Sequence, residues 1–162
     1  MPTVRVAGLD DADAFRTVFL DCWRVSYAQI MPPALIESMT SERADELWQN
    51  ALGSGTDTYV AAVDDDDRIV GFAGFRLDEP TVGYVSSLYV SPFTQGGGFG
   101  RLLLTRCEDE LRSLGAERAR LWVFEQNEPS RAFYTRLGWS LDGRRETLDE
   151  WGEPQVGMSK EL

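Results

Sequence analysis

Two stretches of the chain concentrate residues able to do chemistry. The first, Ser87 to Gly100, reads S-L-Y-V-S-P-F-T-Q-G-G-G-F-G. A strand ending near Val90 runs into a glycine-rich turn, and a helix comes next. Glycines let the backbone take positive φ and approach a ligand closely. Successive N–H groups at the start of a helix face an anion and sit at the positive end of the helix dipole. The chemistry this suits is phosphate or pyrophosphate binding; the competing reading is a tight strand-to-helix connection. Charge agrees with the first. Residues 91–107 hold Arg101 and Arg106 and no acid, in a chain with net charge −11. The P-loop pattern requires Gly-Lys-Ser/Thr, and here Gly100 is followed by Arg101 and Leu102. The dinucleotide fingerprint lacks its third glycine and its later acid. The second stretch, Asn127 to Trp139, reads N-E-P-S-R-A-F-Y-T-R-L-G-W. Asn127 suits a helix cap before Pro129, and Phe133 and Tyr134 suit either a core or a site.

What is missing narrows the chemistry further. The chain has no histidine and only two cysteines, Cys22 and Cys107. Ser-His-Asp and Cys-His catalysis and most zinc sites are therefore excluded, and no metal is expected. The cysteines are too far apart in sequence for a Cys-x-x-Cys motif, which favours a reducing compartment. Strong acidity argues against nucleic-acid or anionic-membrane partners. No signal peptide and no apolar run of membrane-spanning length is visible, so the expectation is a cytoplasmic protein. Asp64 to Asp67 lies between two apolar segments and reads as a hairpin turn; its spacing does not match a calcium loop.

The elements that must position these residues alternate in type. Val4 and Val6 mark a short strand. Helical spacing runs from Asp10 to about Tyr27, then from Pro32-Pro33, continuing after a break through Ser41 to Ala51. Strands are predicted at 57–63, 69–77, 82–90 and 118–124, with a helix from Gly100 to Leu114 closed by Gly115. A short helix from Pro129 to about Leu137 and a last strand pair, Trp139–Glu146 and Gln155–Ser159, complete a single α/β domain over 1–162.

Gln95-x-x-Gly98-x-Gly100 fits the Q/R-x-x-G-x-G/A signature of the GNAT superfamily of acyl-CoA N-acyltransferases. The Asn127–Trp139 stretch resembles that family's second motif through Asn127, Ser130, Tyr134 and Gly138. The element order is similar from first strand to last. The resemblance implies a mixed, mostly antiparallel sheet flanked by helices and splayed between the strands at 82–90 and 118–124. It also implies acetyl-CoA as co-substrate and a small-molecule or peptide amine as acceptor. Leu88, Tyr89 and Val90 would pair with the pantetheine arm through main-chain bonds. The amides of Gln95, Gly96, Gly97, Gly98, Phe99, Gly100 and Arg101 would cradle the pyrophosphate. Asn127 and Ser130 would contact the cofactor arm. Tyr134 would protonate the leaving thiolate, since a phenol near pKa ~10 can serve a thiol near ~8.5.

The sequence departs from the family at the general base. Many members carry a glutamate early in the strand ending here at Val90; Val82 to Leu88 contains no carboxylate. Tyr84 stands at about that position, and strand alternation puts Tyr84, Ser86 and Leu88 on one face. Three routes for the amine proton are open: a water chain held by Tyr84 and Ser86, Glu125 at the end of the next strand, or an acceptor of low pKa. Trp23 and Tyr27, spaced i and i+4, are candidates for the acceptor wall or for simple packing. Trp151 reads as an exposed turn residue, at a homodimer contact or over the acceptor site. The rival function is a non-catalytic acyl-CoA-binding or sensing module.

Overall fold

The computed structural model describes residues 2–94 and 96–162. Among them, one sheet holds seven strands in the order β1-β2-β3-β4-β5-β7-β6. These are β1 (Thr3–Val6), β2 (Thr58–Val63), β3 (Ile69–Glu79), β4 (Val82–Val90), β5 (Arg118–Phe124), β6 (Ser140–Thr147) and β7 (Pro154–Glu161). Every neighbouring pair is antiparallel except β4 and β5. The β2–β3 connection at Asp64 is a tight turn, with Asp64 Oδ1 accepting from the backbone N–H of Asp66 and of Arg68.

Helices cover both faces. Between β1 and β2 lie α1 (Ala12–Asp21), α2 (Pro33–Ser38) and α3 (Ser41–Ser54). The predicted continuous helix to Tyr27 is corrected: after Asp21 the backbone widens into a π turn over Cys22–Ser26, then tightens over Tyr27–Gln29. Thr40 starts α3 by accepting from Arg43 N–H, so the segment after Pro33 is two helices. Phe15 stacks on Phe72 at 3.9 Å and Trp48 meets Phe72 edge-on at 4.7 Å, which seats α1 and α3 on β3. The other face buries Leu103, Leu104, Cys107 and Leu111 of α4 (Phe99–Ser113) together with Tyr134 of α5 (Glu128–Arg136).

Two features of the central strands open and shape a wedge in the sheet. The β4–β5 ladder ends at Val85↔Leu121, and beyond it the strands diverge while β5 stays paired to β7 as far as Phe124↔Gln155. β4 also carries a bulge: Gly74 faces Ser87 and Phe75 faces Val85, leaving Ser86 as the extra residue. A bulge shifts alternation by one. The expected shared face of Tyr84, Ser86 and Leu88 is corrected accordingly. Leu88 packs into the cluster under α4, whereas Tyr84 lies on the opposite face, beside Arg76. Gly74 makes room for the bulge, since a Cβ there would lie 2.5 Å from the Tyr59 ring and 2.8 Å from Ser86 Oγ.

Candidate functional site

The wedge between β4 and β5 opens into two cavities that meet at its centre. One, of about 530 Å³, runs from the wedge to the glycine turn and the start of α4. The other, of about 240 Å³, lies on the far side, between β4, β5, the π turn and the β6–β7 loop. Tyr27, Leu88, Tyr89, Asn127, Ser130 and Tyr134 line both.

One end of the larger cavity is lined by the glycine turn and the head of α4. Gly96 and Gly98 take φ of +91° and +76°, the left-handed region where glycine is at ease. Gly98 precedes the first turn of α4, and the first-turn amides of Phe99, Gly100 and Arg101 lack partners inside the helix. Gly96 to Arg101 all line this cavity, together with Leu88, Tyr89 and Val90. Gln95, the first residue of the glycine signature, lies outside the described residues. Arg106 is turned away, bonding to Glu110 and to the Val4 carbonyl. The second cation of the wall is Arg136, which the sequence analysis did not single out. Its signal was present: Pro129, Phe133 and Arg136 share one face of α5 by helical spacing, and all three line the cavity. Cys22 also lines it, donating from Sγ to the Val90 carbonyl at 3.2 Å.

At the junction Asn127 serves as the helix cap expected of it. Its Oδ1 accepts from Ser130 N–H at 3.2 Å and caps α5, while the residue lines both cavities. Tyr134 is buried at 8% exposure, with its ring against Phe133 and Trp139. Burial raises its phenol well above the usual value, with the neighbouring Tyr89 adding to the effect. Tyr27 and Tyr89 are raised for the same first reason. All three phenols therefore stay neutral through the physiological range and can give up a proton rather than take one.

The smaller cavity is walled by aromatic rings. Trp23, Tyr27, Phe124 and Trp151 form a closed circuit of neighbours, with centroid separations of 5.3, 6.0, 6.4 and 5.5 Å going round. The π turn makes the Trp23–Tyr27 contact, and Trp151 is brought in by the loop between β6 and β7. Trp151 is half-buried rather than exposed, with the Arg43 guanidinium 5.3 Å from its ring centre. Tyr84 lines the same cavity and carries Arg76 over its ring at 4.6 Å. Burial raises the Tyr84 phenol against the pull of that guanidinium. Ser86 Oγ and Trp23 Nε1 are buried and make no hydrogen bond of good geometry among the described residues.

Glu125 is not brought into either cavity wall. Its carboxylate is paired to Arg145 at 3.0 Å, and hydrogen bonds from that guanidinium hold its pKa below the ordinary range. Among the described residues, no three His, Cys, Asp or Glu side chains are grouped to hold a metal ion, and no helix is long and apolar enough to cross a membrane.

The sequence matches the model of the acetyltransferase (GNAT) family over residues 13–139. It is 31% identical over 138 residues to the uncharacterized N-acetyltransferase YuaI of Bacillus subtilis (strain 168), covering 83% of this chain and 78% of that protein. It is 37% identical over 84 residues to a mycothiol acetyltransferase of Actinosynnema mirum, covering 52% of this chain but 28% of that longer protein. The fold is similar to the crystal structure of the PaiA N-acetyltransferase from Thermoplasma acidophilum in complex with coenzyme A. There the TM-score is 0.78 at 21% identity, over 100% of this chain and 99% of that one.

Proposed function

This chain belongs to the acetyltransferase (GNAT) family, a family of acyltransferases, and on that premise we propose that it moves an acetyl group from acetyl-CoA to a primary amine by direct attack in a ternary complex. The observation that carries the reading is the meeting of the two cavities at Tyr134. One arm ends in an anion-binding turn suited to the CoA pyrophosphate; the other is a separate pocket suited to an acceptor.

The bound co-substrate supplies a thioester, whose carbon the amine attacks and whose thiolate leaves. Backbone groups of Leu88, Tyr89 and Val90 on the side facing β5 have no ladder partner there among the described residues, and can hold the pantetheine arm as an added strand. Gly96 to Arg101 hold the pyrophosphate, and Arg136 adds a cation beside it. Asn127 and Ser130 contact the arm at the junction. A backbone N–H near Val90 polarises the thioester carbonyl. As the C–N bond forms and the C–S bond breaks, Tyr134 gives its proton to sulfur. The proton lost by the amine leaves through water held by Ser86 Oγ and the Tyr84 hydroxyl. Because Tyr84 is a neutral phenol, it passes a proton along rather than storing it.

Glu125 has no part in this route. Glu125→Gln is expected to keep kcat and KM within about twofold of the parent, since surface changes away from a site have small effects. A loss of about tenfold or more would restore the carboxylate as base.

The absence of any carboxylate among the described residues of the acceptor cavity is the one observation favouring a non-catalytic acyl-CoA-binding module. Thiol release decides between the readings. Incubation with acetyl-CoA and an amine panel should liberate CoA thiol above the hydrolysis rate. A protein that CoA stabilises against heat but that releases no thiol with any amine is the binding module.

A further inference from the structure

The acceptor cavity has a composition that selects among amines. Its lining contains no Asp, Glu, Lys or Arg among the described residues. Four aromatic rings, Trp23, Tyr27, Phe124 and Trp151, close round one part of it. Two buried polar atoms of lining residues, Trp23 Nε1 beside the Tyr89 hydroxyl and Ser86 Oγ beside that of Tyr59, make no hydrogen bond of good geometry among the described residues. We infer that the acceptor is a small monoamine with an aromatic or bulky apolar body and no carboxylate. The inference rests on the acetyl-transfer reading above and names the substrate class of that same site.

Each competing class meets a physical obstacle. A polyamine held wholly inside would bury a second ammonium with no carboxylate in the lining to pair it, and the attraction of aromatic faces is much smaller than that desolvation cost. An amino acid would bury a carboxylate with no Arg or Lys in the wall to receive it. A multi-ring aminoglycoside is too large: an apolar cavity of about 150 Å³ accommodates one benzene ring, so about 240 Å³ holds one ring system with a short aminoalkyl arm. Such a molecule meets what the wall offers. Its ring packs on the aromatic circuit, and its neutral nitrogen accepts from Trp23 Nε1–H or from Ser86 before attack. Approach is favoured by the net charge of −11, to which the exposed Asp149 and Glu150, next to Trp151 in sequence, contribute. The negative field attracts a protonated amine to the protein, and the uncharged wall then favours its neutral, nucleophilic form.

The test is thiol release from acetyl-CoA with 2-phenylethylamine, tryptamine, spermidine and phenylalanine. Quenching of tryptophan fluorescence by the same amines, in CoA-saturated protein, is read in parallel. The expected result is a kcat/KM for the two arylalkylamines about 100-fold or more above spermidine and phenylalanine, the scale set by an unpaired buried charge. Trp151→Ala should raise KM for 2-phenylethylamine about tenfold, by removing one aromatic wall, with CoA affinity unchanged. Spermidine or phenylalanine as the better substrate, or an unchanged KM in Trp151→Ala, overturns the inference and leaves acetyl transfer standing. Selective quenching by the arylalkylamines without thiol release supports the ligand class and overturns acetyl transfer. Neither quenching nor release overturns both.

Discussion

Replacing Tyr134 with phenylalanine lowers kcat by about 100-fold or more while CoA affinity stays within about twofold, the range expected when a positioned general acid is lost. The variant removes one hydroxyl and keeps the ring that packs against Phe133 and Trp139, so the fold is retained. The size of the effect comes from where the phenol sits. It lies at the junction of the two cavities, buried at 8% exposure, in surroundings that stabilise its neutral form. A departing thiolate at that junction has the phenol beside it as a fixed proton donor. The same burial sets the sign of the pH dependence. A phenol raised above 10 keeps its proton throughout the neutral and mildly alkaline range. In the parent enzyme kcat/KM therefore rises with pH throughout this range as the amine loses its proton, and shows no descending limb below about pH 10. Steady-state kinetics from pH 6 to 10 checks both statements. A loss confined to KM, or a kcat within tenfold of the parent, removes Tyr134 from the role of acid.

Gly98→Val raises the dissociation constant for CoA about 10- to 30-fold, with little change in kcat at saturation. At φ +76° a β-branched side chain is a genuine outlier, costing about 1–2 kcal/mol or more, and each 1.4 kcal/mol is tenfold in affinity. The backbone relieves that strain by leaving the left-handed region, which redirects the amides at the head of α4. Open space surrounds the Gly98 Cβ position, so a clash is not what the valine introduces. Gly98→Asn is the control. Asparagine tolerates the left-handed region, and its affinity should stay within about threefold of the parent. Calorimetric titration with CoA reads both variants. Equal affinity in the valine and asparagine proteins would show that this turn does not hold the phosphates.

The parts of the site readable from sequence are those whose chemistry is local. The glycine turn, the helix it starts, the Asn127 cap and the proline at the head of α5 each depend on a few adjacent residues, and the structure has them where spacing puts them. The parts not readable depend on two distant segments at once. The bulge at Ser86 is a property of the β3–β4 pairing, and the clue to it, Gly74, sits on the other strand. Glu125 follows the end of β5 directly, but Arg145 on β6 captures it, and no pattern within β5 announces that partner. The docking of Trp151 on Trp23 likewise joins residues far apart in the chain, through a loop whose own sequence reads as an exposed turn. Register and loop docking therefore decided which face each candidate took, after local pattern had named the candidates.

The thiol of Cys22 faces the arm of the wedge where the thioester would lie. A cysteine there has the right element to intercept the acetyl group and carry it as a protein thioester. Burial pushes its pKa up to about 12, and its hydrogen is committed to the Val90 carbonyl. At pH 7 the thiolate, the form that attacks, is therefore scarce. Cys22 is thus held as an inert thiol in the wall of that cavity, and does not compete with the amine as a nucleophile.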